Sequence, residues 1–141
     1  MRALNHIAAK IRSILMSTQL ESLGQVAITT QRMEQAIAFY RDVLGLPFLF
    51  QAGPNLAFLM AGATRIMLAG VEGNGADQSH PTLYYKVADL KAAHSAIKPK
   101  GATMVDEPHL VASMGDHELW MFFVRDPDGH LVGLMSEVRN G

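Results

Sequence analysis

The chain has 141 residues, enough for one domain with a substantial core. Its residues are 49% hydrophobic and its net charge is −1, so neither a disordered tail nor a basic nucleic-acid-binding surface is expected. Cysteine is absent, which excludes disulfides, thiolate metal centres and a cysteine nucleophile, and no apolar run reaches the ~18–20 residues that cross a bilayer. The expectation is a cytoplasmic protein with no nucleic-acid or membrane partner.

Residues 1–22 read as an N-terminal amphipathic helical extension. Leu4, Ile7, Ala8, Ile11, Ile14 and Leu15 recur at helical spacing, with Arg2, Lys10 and Arg12 between them. A membrane-surface or targeting helix shares that pattern, but the segment lacks the apolar core and cleavage site of a secretory signal. A helix docked on the following domain is expected.

Residues 23–138 read as a single domain. Val26–Thr30 is β-branched and apolar, a strand. Met33, Ala36, Ile37, Tyr40 and Leu44 form a helical apolar stripe, with Gly45 as its stop and Pro47 just beyond. Short strands are predicted at Pro47–Gln51, Leu56–Met60 and Arg65–Ala69, and Glu72–Ser79 reads as a linker. Leu83–Val87 is again a strand, and Asp89 is a good N-cap for a helix over Leu90–Lys98 that stops at Gly101. Thr103–Val105 reads as a short strand and Glu107–Gly115 as a longer loop. Strands at Glu118–Arg125 and His130–Ser136 are joined by Asp126-Pro127-Asp128-Gly129, whose proline and glycine positions fit a type I turn.

The halves repeat each other. Gln25–Thr30 followed by Met33–Tyr40 returns as Thr82–Val87 followed by Leu90–Ile97, and 82 − 25 and 90 − 33 both give 57. The predicted fold class is α+β: two tandem βαβββ modules, about 23–71 and 80–138, forming a curved, partly closed eight-stranded cup with helices outside. Two equivalent sheets also suggest a homodimer.

The segments Gln25-Val26-Ala27-Ile28, Ala38-Phe39-Tyr40-Arg41-Asp42-Val43-Leu44-Gly45-Leu46, Val87-Ala88-Asp89-Leu90 and Phe122-Phe123-Val124-Arg125-Asp126-Pro127-Asp128-Gly129 resemble the vicinal oxygen chelate superfamily. That superfamily includes glyoxalase I, methylmalonyl-CoA epimerase, extradiol dioxygenases, fosfomycin resistance enzymes and bleomycin-binding proteins. The resemblance covers about Leu23 to Val138 and is not specific to any one activity. It implies four metal-ligand positions, here Gln25, Met67, Thr82 and Gly133. Only Gln25 is a ligand of the familiar kind, and a hard divalent cation would meet no carboxylate. No cofactor is therefore expected. The fallback is a rebuilt site for zinc, nickel, manganese or iron using Gln25, His109 and His117, with His80 assigned to the linker.

The expected ligand contacts are Gln25, Met67, Thr82, Tyr84, His109, Trp120 and Gly133. Strand parity puts Tyr84 toward the cup and Tyr85 toward the helix. His117 and Glu118 are the catalytic candidates, as bases beside a ligand near neutral pH. Lys86 is expected near a solvent-exposed strand end, and His94 and His130 on the surface. Three functions follow from these residues. The favoured one is a small-molecule-binding glyoxalase/bleomycin-resistance-like protein that has lost the usual metal ligands. The second is a lyase, isomerase or epimerase acting on a carbonyl substrate, with or without a rebuilt metal. The third is a structural or regulatory subunit whose cup has filled in.

Overall fold

The structure is a computed structural model that describes residues 2–18, 20–71 and 81–139. The linker Glu72–Ser79 and His80 lie outside the described residues. After α1 (Arg2–Thr18), the first module runs β1 (Gln25–Thr30), α2 (Met33–Ala38), β2 (Phe48–Gln51), β3 (Leu56–Ala61) and β4 (Thr64–Gly70). The second runs β5 (Leu83–Lys86), α3 (Leu90–Ile97), β6 (Thr103–Met104), β7 (His109–Ser113), β8 (His117–Arg125) and β9 (Leu131–Arg139). Among the described residues this makes nine strands in two sheets, with no closed barrel.

The sheets repeat one topology. In the first, the order is β1-β4-β3-β2; in the second it is β5-β9-β8-β6. The opening strand of each module lies parallel to its closing strand, β1 to β4 and β5 to β9, and the remaining pairs are antiparallel. The parallel pairing is what the intervening helix permits, since a crossover connection must carry the chain back.

The segment Glu107–Gly115, expected as a loop, contains a strand beyond the eight expected, β7. β7 pairs antiparallel with the start of β8, His109 opposite Met121 and Ser113 opposite Glu118, while β6 pairs with the end of β8. Together β6 and β7 fill the edge position that β2 fills alone, interrupted by Pro108, which cannot donate a ladder hydrogen bond. Alternation was hard to read here because the edge strand is exposed on both faces and bulged between Leu110 and Ala112.

Both helices form where their apolar stripes predict. α2 continues into a π-helical turn over Phe39–Val43, closed by Leu44 N–H donating to Phe39 O at 3.0 Å. Gly45 then leaves in the left-handed region at φ 76°. Asp89 caps α3 by accepting from Ala92 N–H at 3.0 Å. One buried cluster joins the modules, with Ile28, Tyr40, Leu59, Ile66 and Leu68 from the first and Leu90, Phe122, Val124 and Leu134 from the second. By contrast, Leu4, Ile7 and Ile11 of α1 are exposed, where docking on the domain was expected to cover them.

His94 and His130 are buried, contrary to the surface positions expected of them. His94 packs edge-on against Phe122, ring centroids 4.9 Å apart, and its Nε2 lies 3.4 Å from Glu107 Oε2 without hydrogen-bond alignment. His130 belongs to a latch between the modules. Its Nε2 lies 2.8 Å from the Thr29 carbonyl, so that nitrogen carries the proton. Asp126 Oδ1 accepts from the backbone N–H of Asp128 and of His130, each at 2.9 Å, while Oδ2 accepts from the Tyr40 hydroxyl at 2.8 Å. Asp128 accepts from the Thr30 hydroxyl and from Gln31 N–H. Burial, reinforced by the Asp126 carboxylate, pushes the Tyr40 phenol well above its ordinary range.

Candidate functional site

Strand register decides which candidates share a face. Gln25 pairs with Arg65 and Phe58 pairs with Met67 across the first sheet. On this face Gln25 Oε1 accepts from Arg65 Nε at 2.6 Å, and Gln25 Nε2 lies 3.7 Å from Met67 Sδ. The Arg65 guanidinium stands over the Phe58 ring, 5.5 Å from its centroid, and Phe58 stacks on Phe50 at 4.9 Å. The amide of Gln25 is thus engaged at both ends by its own sheet.

In the second sheet Tyr84 pairs with Gly133, and Gly133 with Phe123, so these three face the same way. The Tyr84 ring lies across Gly133: a Cβ added there would sit 2.5 Å from Tyr84 Cδ1 and 3.2 Å from Phe123 Cε1. Tyr84 and Phe123 meet edge to face at 5.8 Å. A glycine at this position is what lets the tyrosine lie down. Thr82 precedes β5 and has no ladder partner in it.

The uninterrupted β8–β9 register carries the same parity to His117, which shares the Tyr84 face with Lys86 and Glu137. These residues line a cavity of about 260 Å³ together with Asp116 and Arg139. His117 Nδ1 lies 2.7 Å from Asp116 Oδ1, and Lys86 Nζ lies 3.3 Å from Glu137 Oε2. The hydrogen bond to His117 holds the Asp116 carboxyl below the usual carboxylate range. His109, opposite Met121, is also on this side, with Nδ1 2.8 Å from the Glu107 carbonyl.

Glu118 and Trp120 face the other way. Trp120 pairs with Ser136, and both line a separate cavity beside the start of α3. The two catalytic candidates, adjacent in sequence, are therefore on opposite faces of β8 and cannot act on one substrate atom. Tyr85 points toward the core as parity predicts, its hydroxyl buried without a hydrogen-bond partner among the described residues, and burial with the nearby Asp126 pushes its phenol up to about 12.

A third cavity, about 470 Å³, lies at the seam of the modules, lined mainly by apolar residues including Leu23, Leu46, Ile66, Leu83, Tyr84 and Leu134. None of the three cavities is lined by Gln25 or Met67, so these two residues share no cavity with Tyr84 or His117. Sequence reasoning missed Arg65 and Arg139, although Arg65 shares the parity of Met67 and Arg139 that of Gly133. Glu137 shares the Gly133 face by the same parity, but it meets Lys86.

Asp126, Asp128 and His130 bring their ligand atoms within 4.8 Å of one another, the composition of a metal site. Every carboxylate oxygen among them already accepts a hydrogen bond, and His130 Nε2 is turned to the Thr29 carbonyl. The cluster's visible work is to join the modules.

The family model of the Glyoxalase/Bleomycin resistance protein/Dioxygenase superfamily matches residues 22–134. The chain is 28% identical over 126 residues to the uncharacterized protein YraH of Bacillus subtilis (strain 168), covering 78% of this chain and 94% of that one. Among solved structures, a virulence protein from Salmonella typhimurium superposes with a TM-score of 0.68 at 24% identity, covering 86% of this chain and 100% of that one. Lactoylglutathione lyase from Agrobacterium tumefaciens superposes at 0.66 with 18% identity, covering 84% and 95% of the respective chains. At these identities the structural likeness concerns the fold alone.

Proposed function

The chain belongs to the Glyoxalase/Bleomycin resistance protein/Dioxygenase superfamily, and from that membership we propose that it binds a small molecule on the face of its sheets bearing Tyr84 and His117, without a metal held at the four superfamily positions. One observation carries this reading: the Tyr84 ring occupies the space that a side chain at position 133 would need. The remaining donors fit a hard divalent cation no better. Gln25 Oε1 is taken by Arg65, Met67 is a soft thioether, and Thr82 lies ahead of its strand. Tyr84, half exposed over Phe123, offers a ring and a hydroxyl to an apolar ligand with a polar group, while Lys86, His117 and Arg139 supply hydrogen bonds or positive charge.

Metal analysis of protein purified without chelator, followed by calorimetric ligand screening of the same sample, tests the reading. The expected result is far less than one equivalent of metal and binding that survives chelator treatment. One equivalent of metal whose removal abolishes binding would overturn it.

A second reading is favoured by the His117–Asp116 pair. A carboxylate on Nδ1 fixes the imidazole and leaves Nε2 free to take a proton, the arrangement a base needs for removing hydrogen beside a carbonyl. Lys86 on the same face would stabilise the resulting oxyanion. Deuterium exchange into carbonyl compounds in heavy water, lost in His117→Ala, is its signature. Glu118 has no part in that chemistry.

We further propose a homodimer. Phe48, Leu49 and Phe50 at the edge of the first sheet and Leu110, Val111 and Met114 at the edge of the second are exposed apolar residues that pairing of two copies would cover. Sedimentation at micromolar concentration should give twice the mass of the chain.

A further inference from the structure

The cavity beside the start of α3 is distinct from the face just described, since Trp120, Glu118 and Ser136 project from the opposite side of the second sheet. It encloses about 350 Å³, at the low end of the ~300–1,000 Å³ typical of small-molecule sites, and Asp89, Leu90, Lys91 and Val138 complete its walls.

Three polar side chains line it beside the indole. Ser136 is only 3% exposed and is one of them. Glu118 uses one carboxylate oxygen to accept the Trp120 indole N–H at 3.3 Å, which fixes the ring as a wall and leaves the second oxygen unengaged. Lys91 lines the same cavity and forms an ion pair neither with Glu118 nor with any other described residue. Asp89 is occupied as the α3 cap. The lining therefore offers one free carboxylate oxygen, one hydroxyl, one ammonium and an aromatic wall. A few convergent polar groups beside an aromatic wall are what orients a small ligand in a cavity of this size.

We propose that this cavity binds a small zwitterion of the α-amino-acid type with an apolar side chain. The ligand's ammonium meets Glu118 and the Ser136 hydroxyl close to the indole face, where a cation is also attracted by the ring. Its carboxylate meets Lys91, and its side chain lies against Trp120, Leu90 and Val138.

Trp120 is the only tryptophan in the chain, so intrinsic emission reports this cavity directly. Full-length protein is titrated with leucine, with leucinamide, which lacks the carboxylate, and with 4-methylpentanoate, which lacks the ammonium. Leucine is expected to shift the emission saturably, and each probe missing one charge to bind at least tenfold more weakly. Glu118→Gln and, independently, Lys91→Met should each weaken leucine at least tenfold, with far-UV circular dichroism confirming the fold. No saturable change with leucine up to about 10 mM, equal binding of all three probes, or unaltered leucine affinity in both folded variants would overturn the assignment.

Discussion

The two modules share a strand order and a helix, yet they use their spare side chains in opposite ways. In the first, the β3–β4 connection is a tight two-residue turn at Gly62-Ala63, between paired Ala61 and Thr64. In the second, the β8–β9 connection spans Asp126 to His130 and reaches back to Tyr40, Thr30, Gln31 and Thr29 of the first module. The closing strands diverge too: Met67 of β4 stands beside Gln25 on a half-open face, whereas Gly133 of β9 lies under a tyrosine. Backbone topology tolerates such divergence because strand pairing needs only N–H and C=O groups and a buried face of roughly constant volume. The shared frame leaves the chemistry of each half free to differ.

The largest expected break in that comparison comes from the latch. Asp126→Ala strands the buried Tyr40 hydroxyl and two backbone N–H groups, and should cost about 4 kcal/mol, read as a lowered midpoint in urea. No change in the midpoint would mean that the modules are held by their shared core alone.

Placing a carboxylate at the two closing-strand positions separates the faces next. Gly133→Glu must displace the Tyr84 ring and should destabilise by about 3 kcal/mol, with relief in the Gly133→Glu, Tyr84→Ala double variant. Met67→Glu, on the half-open face, should cost less than about 1 kcal/mol. Equal costs would show that Tyr84 moves aside freely.

Alkaline pH probes the same latch more gently. Tyr40 keeps its proton in the native state well above the usual phenol pKa of about 10. Between those two values the unfolded chain has lost a proton that the native chain retains, so stability falls as pH rises. The stabilisation is complete below about pH 10. Tyr40→Phe should flatten this slope in denaturation curves taken from pH 8 to 11, and an unchanged slope would remove Tyr40 from the account. Smallest is the helix cap, where Asp89→Ala should cost about 1 kcal/mol.

Much of this frame was legible in the chain itself. Apolar stripes located α2 and α3, Asp89 marked an N-cap, Gly45 and Gly101 marked helix ends, and the constant spacing of the halves announced two modules. The elements missed were those whose pattern carries no burial signal. β7 is an exposed, bulged edge strand, so alternation could not reveal it. His94 and His130 were misjudged because polar residues enter a core only when particular partners await them, here Phe122 and the Thr29 carbonyl, and those partners are remote in sequence.

The sequence alone therefore determined the repeat, the order of elements apart from β7, and the absence of a carboxylate at Met67 and Gly133, since these depend on local periodicity and residue identity. The tertiary structure alone decided that Tyr84 fills the space above Gly133, that His117 and Glu118 part to opposite faces, and that Trp120 walls a second cavity. Facing follows from register, and register is fixed by long-range pairing between strands whose alignment no local pattern specifies.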